Sequence, residues 1–152
     1  MDKPWSALDP EAVANAFASE LLMPEFLFAP RIAGKAVSFD IVDRMASEFA
    51  VSRSAAAIRV VDLASYDAML LCSAKGGIEW HHGSARVKGQ LWLHKTLARD
   101  SDAWDILVNG AVGSRRPQTI NADDWINHED AAKYEILEHS VRYGDRVLPL
   151  LW

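Results

Sequence analysis

The chain has 152 residues, which fits one domain or two very small ones. Half of it is apolar and 24% is charged, which excludes a disordered chain and describes a soluble globular one. The net charge of −5 argues against a general nucleic-acid binder, and the single cysteine, Cys72, excludes an internal disulfide and a cysteine zinc cluster.

No uncharged apolar run approaches the roughly 18 residues of a membrane span. The opening MDKPWSALDP lacks the basic start and apolar core of a signal peptide. A cytoplasmic protein with no membrane partner is expected.

The first helix is predicted from Asp9-Pro10, with Asp9 as N-cap and Pro10 in the first helical position. Ala14, Phe17, Leu21 and Leu22 mark its expected buried stripe, and Pro24 stops it. A short helical piece over 24–32 would end at Gly34. Ser38 caps a second long helix with Ile41, Val42, Met45 and Phe49 inward. Ser52 caps a third with Ala55, Ala57, Ile58 and Val61 inward. Only Ala50 and Val51 separate these two, the outline of a helix-turn-helix.

The apolar spacing becomes mostly two-fold near residue 65. Strands are predicted over 68–73 and 78–82, joined by a hairpin turn at Lys75-Gly76-Gly77. Residues 91–98 and 102–108 read as helices, the second with Ser101 as cap and Gly110 as stop. Ser114–Pro117 is a basic loop, with Arg115-Arg116 solvated or facing an acidic partner. A long strand over 133–143 turns at Gly144-Asp145 into a last strand over 146–152. Pro149 places that strand at an edge, or turns its missing N–H away from a partner.

The reading is α+β. A helical part over residues 1–65, containing the helix-turn-helix-like pair, precedes a part over 66–152 with a mainly antiparallel sheet and one or two helices. That second part is open to a GAF- or PAS-like sensor fold. Trp80, Trp92, Trp104, Trp125, Tyr134 and Tyr143 would either line a ligand pocket or form plain core, core being the simpler reading. No ligand is identifiable.

Residues 11–24, EAVANAFASELLMP, resemble the helix that follows the active site in the ImmA/IrrE family of zinc metallopeptidases, E-x-x-A-N-x-F-A-x-x-L-L-M-P. Residues 45–63, MASEFAVSRSAAAIRVVDL, are similar to a second family segment, L-A-x-x-F-x-V-S-x-x-A-A-x-x-R-L-x-x-L, in the expected order. The resemblance implies a hydrolase of a regulatory or stress-response system that uses zinc, with Glu11 as third ligand. It also implies an H-E-x-x-H helix upstream, whose two His lie one turn apart with the general base between them.

This chain has no H-E-x-x-H. Its histidines are His81, His82, His94, His128 and His139, and none pair at i, i+4. His81 and His82 are adjacent in a predicted strand, so they point to opposite faces, one inward beside Ile78 and Trp80. Catalytic residues are therefore not assignable. Glu11 stands as a ligand position that is now structural or solvated, and a zinc site would need His from another chain. A natural truncation, a start placed too late or a shortened chain, and a separate polypeptide supplying the rest all fit. A truncation that removes the packing partner of the first helix would leave Phe17, Leu21, Leu22 or Trp5 open, so self-association or a protein partner is expected there.

Two non-enzymatic alternatives accompany this reading, the small-ligand sensor above and a helix-turn-helix DNA- or protein-binding module. Arg53 and Arg59 on the third long helix, with Arg44 on the second, would contact DNA if the helix pair were a recognition unit. Ala55–Ala57 and the acidic neighbours Asp40, Asp43, Glu48 and Asp62 favour plain packing instead. Cys72 lies in an apolar strand, where a thiol is inert.

Overall fold

The computed structural model describes residues 9–87, 92–113 and 116–152, so Trp5, Leu91 and Arg115 lie outside the described residues. Helix α1 (Pro10–Leu22) starts as its sequence predicts. The Asp9 carboxylate accepts a hydrogen bond from Glu11 N at 3.1 Å, and Pro10 sits in the first turn. Pro24 opens α2 (Glu25–Ile32). Ser38 and Ser52 cap α3 (Phe39–Glu48) and α4 (Arg53–Asp62), their hydroxyls accepting from Ile41 N and Ala55 N. Ala50 takes a φ of 52° in the tight turn between them.

A sheet follows, with β1 (Met69–Ala74), β2 (Gly77–Gly83), β3 (Gln118–Asn121), β4 (Glu135–Tyr143) and β5 (Arg146–Leu151). Its spatial order is β2-β1-β5-β4-β3, and every neighbouring pair is antiparallel. Helix α5 (Asp102–Val108) lies between β2 and β3 in the chain, and Ser101 caps it by accepting from Trp104 N. The α+β class expected from the spacing is the one observed.

The hairpin glycine is obligatory. Gly77 has φ 119°, and a Cβ on it would lie 2.1 Å from Lys95 O, so no other residue fits without moving backbone.

Alternation in β1 and β5 splits the core in two. Leu70, Cys72, Leu148 and Leu150 face a cluster with Phe28 of α2, Val42 and Met45 of α3, and Val60 and Val61 of α4. Met69, Leu71, Val147 and Leu151 face Ala103, Ile106 and Leu107 of α5 together with Trp125. His139 joins β4 to the helical layer. It is 2% exposed, its Nδ1 accepts from Phe39 N at 3.0 Å, and its ring meets Phe39 edge-on.

Four expectations change. The stripe of α1 is not buried: no residue of the helix is, because among the described residues nothing packs over Phe17, Leu21 or Leu22. Residues 92–98 are not helical. Their backbone bonds outward instead, His94 N to Trp125 O and Asn127 N to Trp92 O, around a bridge between Leu93 and Ile126. β5 is the central strand rather than an edge. Its pairing with β1 runs through Leu151, Leu150 and Val147, which leaves the Pro149 position, without an N–H, in a gap of that ladder. β3 went unseen because its four residues hold one apolar side chain, Ile120.

Candidate functional site

Glu11 lies in the first turn of α1, exposed and preceded by its cap. A carboxylate there is favoured by the positive end of the helix dipole. Asn15, Ala18 and Leu22, which share its face, line a groove of about 730 Å³ between α1 and α4. Glu11 stands at the open end of that face. The far wall is His82 of β2, whose Nε2 lies 2.7 Å from Asp62 Oδ1.

Helix α1 is held mainly by its C-terminal end. Met23 is buried, and Arg59 of α4, 8% exposed, donates from Nε to Met23 O at 3.0 Å. The same guanidinium pairs with Glu20. A backbone hydrogen bond from Glu25 and the Arg59 pairing together hold the Glu20 carboxyl below its usual range.

The histidines do not converge. His81 is exposed on β2, and His82 turns to the helical face and meets Asp62. A bulge between Cys72 and Ser73 in the β1–β2 register sends Ile78 to the opposite core, so Ile78 does not stand beside the inward ring as expected. His94 Nε2 lies 2.9 Å from Asp123 O, His128 Nδ1 accepts from Asp130 N, and His139 is held by Phe39. Among the described residues no three His, Cys, Asp or Glu side chains are grouped so as to hold a metal ion. The donor set around Glu11 therefore does not fit a zinc centre formed by the described residues.

The arginines of the helix pair are engaged within the fold. Arg53 makes a two-pronged pair with Asp43 at 2.6 and 3.0 Å, and Arg59 is buried as above. The aromatics do not gather round one cavity. Trp125 is buried and Trp104 packs on the same core, while Trp80, Trp92, Tyr134 and Tyr143 are exposed. Burial pushes the Cys72 thiol up, which keeps it protonated and unreactive.

Sequence reasoning missed one buried polar node. Glu138 of β4 is fully buried and accepts from Ala103 N at 2.9 Å, Ser140 Oγ at 2.6 Å and Trp125 Nε1 at 3.2 Å. It receives the N-terminus of α5, a structural role. Its signal was its parity with Ile136, an inward position in the strand.

Residues 7–61 match the family model of the IrrE N-terminal-like domain. The match covers α1 to α3 and nearly all of α4, with the whole first motif and the second as far as Val61, and so shows the resemblance to ImmA/IrrE-like metallopeptidases in this part of the chain. The sheet and α5 lie beyond it. No curated protein matches the chain. Among the described residues no single helix is long and apolar enough to cross a membrane, although α1 and α2, bent by 71°, pass that test as a pair on length and composition.

Proposed function

We propose that the chain is the C-terminal part of an ImmA/IrrE-like zinc metallopeptidase of a regulatory or stress-response system, and that alone it is catalytically incomplete. One observation carries this reading. Residues 7–61 match the family, yet the sequence holds no H-E-x-x-H. A catalytic zinc site takes three protein ligands and a water. Here Glu11 is the single ligand position that the resemblance identifies. The chain's own part is to present that carboxylate at a capped helix start, beside the α1–α4 groove. Histidines would come from another chain, and the open face of α1, with Phe17, Leu21 and Leu22, would receive it.

The test is zinc per chain in protein purified without chelator, beside Glu11→Gln. No bound zinc in either supports an incomplete site. Near-stoichiometric zinc that falls in Glu11→Gln would show a site completed by this chain's own histidines or by a second copy, and would overturn the incompleteness.

A further inference from the structure

The α2–α3 connection, the end of α4 and Trp152 after β5 surround a pocket of about 510 Å³. Sites for small molecules run from roughly 300 to 1,000 Å³. The pocket shares no lining residue with the α1–α4 groove. Its apolar walls are Ile32, Val37, Ile41, Val60, Leu63 and Trp152. Val37 and Val60 are buried, while the other four stay half-buried although they pack on the helical core. An apolar body seated here covers surface that the fold leaves open to water.

The frame is fixed on two sides. Tyr66 Oη accepts from Val37 N at 2.6 Å, which ties the α2–α3 connection to the chain after α4. Trp152 pairs with Leu137 of β4 through both backbone groups, at 2.8 and 3.1 Å.

What the pocket offers a ligand is donors. At the end of α2, Ala29 O, Arg31 O and Ile32 O already accept bonds, from Ala33 N, Lys35 Nζ and Lys35 N. The Tyr66 hydroxyl reaches Lys35 O only at 3.5 Å, beyond the usual ~2.5–3.0 Å of an O–H···O bond. Burial pushes that phenol up, with the Val37 hydrogen bond pulling partly back, so it keeps its proton. Lys35 spends one ammonium proton on Arg31 O, out of the three such a group carries.

Charge points the same way. Among the described residues Lys35 and Tyr66 are the ionisable side chains that line the pocket, and no carboxylate does. Lys35 Nζ and Arg44 Nη2 converge on Arg31 O, at 2.7 and 3.4 Å. Neither makes an ion pair among the described residues, and neither does Asp40 on the turn before Arg44. Two like charges held this close favour an anion beside them.

We propose that this pocket binds a small carboxylic acid with an aromatic or branched apolar body. The body lies on the apolar walls, and the carboxylate takes hydrogen bonds from Lys35 Nζ and the Tyr66 hydroxyl. The site goes beyond the reading above and does not rest on zinc.

The probes are naphthoate, naphthamide and naphthylmethylamine, which share one apolar body and differ in charge. Binding to the full chain is measured by isothermal titration calorimetry near neutral pH. Naphthoate should bind at least about tenfold tighter than the amine, with the amide between them. Lys35→Met keeps an apolar stem at an exposed position, and should weaken naphthoate about tenfold while leaving the amide within about twofold. Lys75→Met removes the same charge from the β1–β2 turn and should change neither. Ala36→Trp, which fills the pocket from an exposed position, should weaken all three probes.

No naphthoate binding at millimolar concentration would overturn the proposal, and so would an amine that binds as tightly. Naphthoate binding untouched by Lys35→Met or by Ala36→Trp would do the same. Urea midpoints equal to the parent's show that the variants fold, and the ranking of the three probes on the parent chain stands without any variant.

Discussion

Helices α1 and α4 lie in the same family-matched segment and start alike, each with a side-chain cap. They differ in what covers them. α4 buries Ala56, Ala57, Arg59, Val60 and Val61, while α1 buries nothing. Capping and propensity are enough to shape a helix, but the stability of a short one comes from packing. α1 is therefore formed by its own ends, anchored at Met23 and Arg59, and left open along its length.

Phenylalanines on the two sides of this divide should respond most differently. Phe28 of α2 is fully buried and packs on Phe49, so Phe28→Ala should cost about 3–5 kcal/mol in urea unfolding. Phe17→Ala should stay within about 0.5 kcal/mol. Comparable losses would mean that α1 is covered in solution.

Glu138 tests the covered side next. Glu138→Ala removes the acceptor of the buried Ala103 N and Trp125 Nε1 and should cost about 1–3 kcal/mol. Burial pushes its carboxyl above the usual range, with its hydrogen bonds pulling partly back. The folded protein then holds this proton more tightly than the unfolded chain. The contribution is full below the unfolded value of about 4.3 and is lost as pH rises through the higher folded value. Glu138→Gln should flatten that part of the pH profile of stability. A profile unchanged in Glu138→Gln would mean the carboxyl is not perturbed.

The smallest effect belongs to the α1 cap. Asp9→Ala should remove about 1 kcal/mol of local helix stability. It should lower far-UV helicity while leaving the cooperative unfolding midpoint in place. A shifted midpoint would show that α1 folds with the rest.

Local signals were legible in the chain, and distant ones were not. The caps Asp9, Ser38, Ser52 and Ser101 act within a few residues, so their helices were predicted close to where they occur. Of the two readings of Pro149, the edge strand fails because strand order depends on β1, more than seventy residues away in sequence, while the missing N–H facing no partner agrees with the gap in the ladder. Residues 92–98 were misread because their backbone partners sit at 125–127. On the candidate site, the Glu11 face was legible as helical spacing. The Asp62–His82 wall of the groove was not, since it joins a helix to a strand across a separation of twenty residues.

The most direct measurement is amide hydrogen exchange along the free chain. The account predicts near-unprotected amides through α1 beside strong protection in α4 and β1. Equal protection in α1 and α4 without any partner would contradict it.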